Sequence, residues 1–554
     1  MDNYAIAEQL SLLSKLMDIH GENSFKSKSY SSAAFTIEKL PQDLSKLAKE
    51  KIFQIRGIGE SVGKKVIEIL ETNELDILQE YISKTPDGVL EMMNIKGLGP
   101  KKINTIWKEM RIDSIDALRE ACMENRIADK KGFGEKTQQN ILASIQFQQA
   151  NAGKYLYAKV ESFAEAFTEK LKNKFPSQKI EITGSFRRQL EIIESLEWVT
   201  TIPGDKIKNF LLNDQVQLVA DRDGLLILNA EEMLLLHFHL VDQKDFYQKL
   251  FETSSSPEFL QHWPGPEKKE AKSEEEIFSS ANQKWIPAFL REKKENIFSK
   301  FELNEIVQTS DIKGLIHSHS NWSDGGHTIE DMASALIDLG FEYLVLSDHS
   351  KAAFYANGLS EQRIREQHRC IDELNAKLSP FKIFKSIECD ILNDGSLDYE
   401  NKILSTFDLV ITSVHSNLDM DEEKAMRRLM GAITNPYTTI LGHMTGRLLL
   451  RRKGYPVDHK MVIDACADHH VVIEINASPS RLDIDWRWID YAMEKGLMLS
   501  INPDAHTVDE FHNIKYGVLV AQKGGLPSKR NLSSLSLGEF EDFLQKTKKL
   551  KGTS

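Results

Sequence analysis

Residues 314–320 read GLIHSHS and residues 343–350 read YLVLSDHS, two short apolar runs of strand length that end in histidine or aspartate. The pattern continues downstream. FKIFKSIECD supplies Glu388, LVITSVHS gives His415, TTILGHM gives His443, VVIEINAS gives Glu474 and Asn476, and LMLSINPDAH gives Asp504 and His506. Helical patterns lie between these runs, so from Asp311 onward the chain reads as βα units around a parallel sheet or barrel. In such a barrel the C-terminal strand ends meet at one mouth, where these polar side chains are expected to converge. His317 and His319 form an HxH pair, expected to point both imidazoles to one face because a strand repeats every two residues.

A lone HxH in a strand is usually structural. The whole set differs, because 12 of the 16 histidines lie beyond residue 310 and alternate with acidic strand ends. The reading is multinuclear metal binding. His327, His368, His459, His469, His470 and His512 fall in helical or connecting contexts and read as surface residues. Ions clamped close together acidify a bound water, hold it in line with a phosphorus atom and stabilise charge on the phosphate oxygens. Phosphoester hydrolysis is therefore the expected reaction, and it requires no protein nucleophile. Asp504 and Asp348 are candidates for proton transfer, with a ligand or supporting role as the alternative.

Working back toward the start, residues 1–150 read as helical and repeat themselves. IRGIGESVGKKVIEIL, IKGLGPKKINTIW and KKGFGEKTQQNILASI each set an apolar residue between two glycines ahead of an amphipathic helix. The pairs are Gly57 and Gly59, Gly97 and Gly99, and Gly132 and Gly134, with Lys64, Lys65, Lys101, Lys102, Lys130 and Lys131 close by. A tight turn with positive φ at a helix start offers backbone N–H groups to a phosphate oxygen. One such turn is a plain helix joint; three with lysines point to sequence-independent phosphate binding.

The chain has 554 residues, enough for three or four domains. Four cysteines (Cys122, Cys370, Cys389 and Cys466) with no CxxC pair give neither a disulfide framework nor a thiolate zinc site. No apolar run approaches the ~20 residues that span a bilayer, and the opening MDNYAIAEQL lacks a signal-peptide pattern. The expectation is a cytoplasmic chain with no membrane partner. The net charge of −13 argues against coating nucleic acid by bulk attraction. Residues 1–150 are nearly neutral, with 21 Lys and Arg against 22 Asp and Glu, and are the better candidate for DNA contact.

The three glycine turns are the helix-hairpin-helix pattern, and GENSFKSKSYSSAAFTIEKLP before them resembles the opening of bacterial family X DNA polymerases. In that family a nucleotidyltransferase-like palm carries GS(Y/F)RR and then a GDID element with two metal-binding aspartates. This chain reads ITGSFRRQLEIIESLEWVTTI, in which Gly184 to Arg188 match while Ser195 and Glu197 stand at the aspartate positions. His237 falls at the third aspartate, and Thr253 to Ser256 replace the family's FTGS element. Ser and His cannot supply the hard oxygen ligands of a two-metal transfer, so the palm is expected to be degenerate, without polymerase activity. Arg187 and Arg188 are candidates for DNA phosphates, with a salt-bridged pair as the alternative. Lys65 falls where some family members place a lyase amine; a phosphate contact is the preferred reading.

Residues 311–554 resemble the PHP (polymerase and histidinol phosphatase) family, which implies a distorted (β/α)7 barrel. The resemblance implies nine metal positions, His317, His319, Asp324, His349, Glu388, His415, His443, Asp504 and His506. It implies three divalent ions (Mn, Zn or Fe), with His317 and His319 on one and His415 and His443 on a second. Asp324, His349 and His506 fall on the third, and Glu388 and Asp504 are the shared, catalytic carboxylates.

The expected layout is multidomain: an α-helical helix-hairpin-helix region over 1–150, an α+β palm over 151–262, a thumb-like segment and linker over 263–310, and the PHP barrel over 311–554. Within 263–310, PGPEKKEAKSEEEI reads as a mobile charged connector. The function implied is end-processing in DNA repair by a metal-dependent phosphoesterase. A 3′ to 5′ exonuclease leads, with 3′-phosphatase and abasic-site cleavage as associated activities. The expected partner is gapped, recessed or damaged duplex DNA, and a monomer is favoured. Competing readings are a small-molecule phosphatase of the histidinol phosphatase type, an active family X polymerase, and a noncatalytic DNA-binding scaffold.

Overall fold

A computed structural model describes residues 3–38, 40, 42–213, 215–230, 234–265, 270–292 and 303–553. Of the expected mobile connector PGPEKKEAKSEEEI, residues 266–269 lie outside the described residues, as do 293–302 further on; its end is instead fixed, with Ala271 and Glu274 buried and Glu274 opening the helix Glu274–Ser280. The chain divides into two compact units, Met1–Ala152 and Gly153–Ser554.

The first unit is helical, and one core holds it together, including Leu10, Leu13, Ile37, Val66, Val89, Ile103, Leu118 and Ile141. The first glycine of each pair makes the turn. Gly57, Gly97 and Gly132 take φ values of 95°, 89° and 95°, which a side chain would resist. The second glycine is the N-cap of the next helix: Gly59 before Glu60–Thr72, Gly99 before Pro100–Asn104 and Gly134 before Glu135–Asn151. Here the expectation of positive φ needs correction. Gly59 and Gly99 have φ values of −77° and −76°, which any residue adopts, and only Gly134, at 114°, needs glycine for its backbone. The turn has already been made one residue before the apolar position, so the chain enters the helix from ordinary extended backbone.

Ile58 and Leu98, between the glycines, are buried in the core, and Phe133 packs against it. The apolar residue thus pins each turn while the helix N-terminus keeps no side-chain cap.

The second unit begins with an antiparallel ribbon of β1 (Tyr155–Leu156) and β3 (Ile192–Ile193) beside a five-stranded sheet. That sheet contains β2 (Ile180–Thr183), β4 (Ser195–Thr200), β5 (Gln217–Arg222), β6 (Leu225–Asn229) and β7 (Leu235–Leu240), in the order β2-β4-β7-β6-β5. Only β4 and β7 run parallel. Trp198, stacked on Phe238 at 5.3 Å, anchors its core against the helix Tyr157–Lys174. Helices Phe246–Thr253 and Glu274–Ser280 then enclose a separate aromatic cluster of Phe251, Trp263 and Phe278.

From residue 314 the described residues hold eight further strands, separated by helices except between β10 and β11: β8 (Gly314–Ser318), β9 (Tyr343–Leu346), β10 (Lys382–Lys385), β11 (Glu388–Asp390), β12 (Ile411–Ser413), β13 (Ile440–Leu441), β14 (Val472–Asn476) and β15 (Leu499–Asn502). Every pairing is parallel, within the sheets β10-β9-β8 and β11-β12-β13-β14-β15. Two bridges join these sheets, His349 to Glu388 and Ser318 to Ala505. Strands covered on both faces read as continuous apolar runs, which is why these lack alternation. Ile316, Tyr343, Phe384, Ile411 and Val472 form an apolar floor under Phe540 and Leu544 of the last helix, Leu537–Lys551, each ahead of the polar residues of its own run. The polar residues therefore gather at the opposite ends.

Of the six histidines read as surface residues, His469, His470 and His512 are exposed. His327, His368 and His459 are half-buried instead. His459 lies flat on Trp488 at 4.8 Å and His368 meets Phe407 edge-on at 4.9 Å, so ring packing withdraws both from water. No helix among the described residues is long and apolar enough to cross a membrane.

Candidate metal centre

Glu388, the first residue of β11, stands at the middle of the polar strand ends. Its Oε1 lies 3.3 Å from His317 Nε2, 3.1 Å from His415 Nε2 and 2.9 Å from His443 Nε2. Its Oε2 lies 2.9 Å from His349 Nδ1 and 3.7 Å from His319 Nε2. Asp504 is the second hub, with Oδ1 3.2 Å from His319 Nε2 and 3.5 Å from His317 Nε2. Asp324 is the third, 3.6 Å from both His349 Nε2 and His506 Nε2. All nine positions named from sequence are thus connected in one pocket.

Strand periodicity is not what aims His317. The register between β8 and β9 slips at this residue, and His317 takes a φ of 65°, a left-handed conformation that side chains resist. A bulge turns the imidazole inward, and His319 follows beyond the end of β8. Asp504 likewise sits at φ 53°. Backbone strain at two of the nine positions matches a site held by its surroundings.

Three groups bring one ligand atom each within 4.8 Å of one another: His319, Asp324, His349 and His506; His317, His319 and Asp504; and His349, Glu388 and His415. His319 and His349 each belong to two groups, and His443 joins through Glu388 alone. Several of these atoms are buried without a hydrogen bond, namely His317 Nε2, His349 Nδ1 and Glu388 Oε2. Close approach of ring nitrogens and carboxylate oxygens without hydrogen-bond geometry is what a metal cluster requires, so the donor set fits bound cations.

Neighbouring charges set the protonation of the cluster. Burial opposes an imidazolium at His317, but the carboxylates of Glu474, Asp504 and Glu388 raise its pKa well above the usual value. His415 is likewise raised against burial to about 10, by Glu388 and Asp390. His319 is driven well below the ordinary range by burial and by neighbouring His506 and His349. Glu388 is held far below the carboxylate range; burial works against its charge, but His415, His317 and His349 overcome it.

The sequence reading names Glu474 and Asn476 as polar strand ends without an orienting role, and does not single out Asp390 or Asn502. Glu474 Oε2 lies 2.6 Å from His317 Nδ1, and the carboxylate also accepts hydrogen bonds from Asn502 Nδ2, Asn476 Nδ2 and the backbone N–H of His443. Asp390 holds His415 Nδ1 at 3.1 Å. Such carboxylates fix a ligand's tautomer and ring direction. The signal was present, because Glu388/Asp390 and Glu474/Asn476 are two-residue repeats on their strands. Arg481 Nε, 3.5 Å from Asp504 Oδ2, adds a cation beside the pocket. Asp348 has the supporting role that the sequence reading held as its alternative. It accepts from the Ser320 N–H and Oγ, the Ser323 N–H and Oγ, and Gln367 Nε2, which ties the loop after β8 to the end of β9.

A helix-hairpin-helix domain model matches residues 1–75, and a SAM-like helix-hairpin-helix tandem model matches residues 89–146. Over 565 aligned residues the chain is 30% identical to the DNA polymerase/3′-5′ exonuclease PolX of Bacillus subtilis (strain 168), covering 98% of this chain and 99% of that protein. The chain belongs to the bacterial PolX family. Over part of its length the chain is also similar to probable phosphatases. Those of Thermoanaerobacter sp. (strain X514) and Caldanaerobacter subterraneus subsp. tengcongensis are each 24% identical, over 43% and 42% of this chain and 97% and 92% of their own lengths.

Within this PolX-family chain, Ser195 and Glu197 lie on β4, and Glu197 faces His237 of β7 in register. The three positions therefore share one face of the sheet. Glu197 Oε2 is taken by His239 Nε2 at 3.0 Å, a partner the sequence reading did not single out. Arg187 and Arg188 are turned inward, in the salt-bridged arrangement that the sequence reading held as the alternative to DNA contact. Arg187 bonds Ser254 Oγ at 2.6 Å and pairs with Glu274; Arg188 bonds Glu292 Oε1 at 2.8 Å and the Thr253 carbonyl at 3.0 Å. A guanidinium satisfied by a buried carboxylate has little left for a phosphate.

The three glycine turns of the helix-hairpin-helix unit are not equivalent. A Cβ at Gly59, Gly99 or Gly134 would meet nothing within 4 Å, so no neighbour crowds these helix starts. Gly59 and Gly99 are exposed, whereas Gly134 is half-buried. Pro100 follows Gly99 and has no N–H, so the second turn offers one donor fewer than the turns at Gly59 and Gly134, where glutamate follows. Lys64, Lys101 and Lys131 are exposed, one at each turn. Lys64 pairs with Glu60 at 2.8 Å, Lys130 with Glu109 at 2.8 Å, and Lys65 with Glu68 at 2.6 Å. Lys102 bonds the Gly97 carbonyl at 3.3 Å.

Proposed function

We propose that this PolX-family chain is a metal-dependent DNA phosphodiesterase that trims ends in repair, most specifically a 3′ to 5′ exonuclease, and that its polymerase activity is lost. The observation that carries this reading is the gathering of eight imidazole and carboxylate groups around a ninth, Glu388, at the mouth of consecutive parallel strands. In this reading residues 311–554 form a PHP-type distorted (β/α)7 barrel, after a helix-hairpin-helix region over 1–150, a palm over 151–262 and a thumb-like segment over 263–310.

His317, His319, Asp324, His349, Glu388, His415, His443, Asp504 and His506 would hold three divalent ions, and the nitrogen and oxygen donor set suits manganese, zinc or iron. Bound ions would supply an acidified water and positive charge for the phosphate oxygens. The chain's own part is orientation: Glu388 and Asp504 bridge the imidazoles, while Glu474 and Asp390 fix His317 and His415. DNA would be gripped without sequence preference at the three turns. There Gly57, Gly97 and Gly132 set the bend, Gly59, Gly99 and Gly134 open the helix starts, and Lys64, Lys101 and Lys131 lie nearest water. Loss of polymerization is supported by Ser195 and His237 at carboxylate positions and by the inward commitment of Arg187 and Arg188. A cytoplasmic location completes the reading.

The test uses end-labelled recessed, gapped and abasic duplexes with manganese. Wild type is expected to yield shortened products. His415→Ala and Glu388→Ala are expected to abolish them while DNA binding persists. Unchanged cleavage in both variants overturns the site. A small-molecule phosphatase is the competing reading, favoured by the phosphatase relatives. Turnover of a small phosphate monoester that survives deletion of residues 1–150, with no DNA cleavage, would establish it.

A further inference from the structure

Beside the metal centre, the loop from Ser350 to Leu359 displays two aromatic rings on a closely tied backbone. Its two ends bridge to each other, and the Leu359 N–H bonds the carbonyl of His349, a proposed ligand, at 2.8 Å. Ala353, Ala356 and Leu359 are buried. Asn357 ties the loop to the carbonyls of Trp322 and Ser323, next to Asp324. A Cβ on Gly358 would lie 1.9 Å from the Ser350 carbonyl oxygen, so the turn has no slack. Yet Phe354 is 85% exposed and Tyr355 59% exposed, with their rings 6.0 Å apart at 78°. Tyr355 also lies in the electrostatic reach of the centre: burial, then Asp390, Glu388 and Asp324, push its phenol up, and Arg481 acts in the opposite direction.

A rigid loop that holds a phenyl ring in water forgoes its burial energy, and the ring's location beside carboxylates of a phosphoesterase centre explains why. Aromatic side chains accept nucleobases of any sequence, because every base offers a π face. We propose that Phe354 and Tyr355 form a stacking platform for the unpaired base at the DNA end whose phosphodiester enters the centre. This rests on the phosphodiesterase reading above. The platform selects single-stranded or frayed ends, because a paired terminal base has no free face to offer.

The test uses the metal-loaded full chain and two single-stranded oligonucleotides, one ending in 3′ adenosine and one ending in a 3′ tetrahydrofuran that lacks a base. Phe354→Ala is expected to raise KM for the adenosine end roughly 5- to 150-fold, with a smaller change in kcat. KM for the baseless end is expected to match wild type, and Phe354→Trp is expected to restore the adenosine end. Equal losses on both ends, or none on the adenosine end, overturn the platform. If wild type cleaves neither oligonucleotide nor bis(p-nitrophenyl) phosphate, the hydrolytic reading fails by itself. The platform is then judged by fluorescence of a 3′ 2-aminopurine in a phosphorothioate-linked strand. Quenching by wild type that Phe354→Ala removes supports it, and absence of quenching overturns it.

Discussion

Glu474→Gln removes one charge and almost no volume from the base of the metal centre, so its effect measures how firmly the carboxylate orients His317. Glu474 is fully buried and accepts four hydrogen bonds, with His317 Nδ1 and Asn502 Nδ2 on Oε2 and Asn476 Nδ2 and the His443 N–H on Oε1. A glutamine must place its NH2 on one of these sides, where it meets two donors. On the Oε1 side it faces Asn476 and His443; on the Oε2 side it faces Asn502 and forces His317 to carry its proton on Nε2, the atom nearest Glu388 and Asp504. Either outcome strips charge-assisted bonds from the ligand shell. Loss of such an outer partner typically weakens metal affinity about 10- to 100-fold, or about 1.4–2.8 kcal/mol. Competition between the purified variant and a graded chelator series, read by elemental analysis, measures it. Wild-type affinity in Glu474→Gln would refute the claim that this carboxylate sets the His317 tautomer.

Three further outcomes are expected. In the metal-free chain His317, His349 and His415 have pKa values raised above the unfolded value, so their imidazolium charge stabilises the fold below about 6.5. That contribution fades as pH rises through the folded values, to about 10 for His415. The Tm of chelated protein should therefore fall from pH 6.5 to 10 while the metal-loaded Tm changes less, because metal displaces these protons; parallel curves would contradict it. Gly314→Ala would place a Cβ 1.9 Å from the Tyr343 ring, itself buried and stacked on Phe540 at 4.6 Å, and should destabilise by about 3 kcal/mol in denaturant titration. Primer extension with dNTPs should be undetectable in magnesium or manganese, and templated extension would overturn the reading of Ser195 and His237.

The ligands were legible because a parallel strand buried on both faces leaves its C-terminal end as the place for polar groups, and GLIHSHS or LVITSVHS shows the change within seven or eight residues. The orienting residues look identical to ligands in sequence: Asp390 follows Glu388 by two positions, and only the fold reveals which oxygen meets which nitrogen. The bulge at His317 was hidden for a different reason. Its left-handed backbone is imposed by packing between β8 and its neighbours, and nothing in the residue type announces it. Arg187 and Arg188 stayed open between two readings for a third reason, since their partners Glu274 and Glu292 lie 87 and 104 positions downstream. The paired glycines show a fourth: residue type alone does not separate Gly57 and Gly97, which bend the chain, from Gly59 and Gly99, whose φ is ordinary.

The five-stranded sheet β2-β4-β7-β6-β5 supplies a control, because it carries its own HxH pair. His237 and His239 lie on β7, with Glu197 opposite His237 on the adjacent strand. By sequence this resembles His317 and His319 with a carboxylate at hand. Yet Glu197 is claimed by His239, His237 Nε2 is buried without a partner, and these three are not among the clusters that bring ligand atoms within 4.8 Å, among the described residues. The difference is not residue type but the number of elements that converge. The sheet site draws on two strands, so its second imidazole has no further carboxylate to meet. The centre around Glu388 draws on successive strand ends, so each imidazole faces an acidic oxygen from another segment. A cluster of donors able to hold metal therefore follows from the parallel architecture as much as from the histidines. Moving an HxH pair into a sheet without that convergence creates no site.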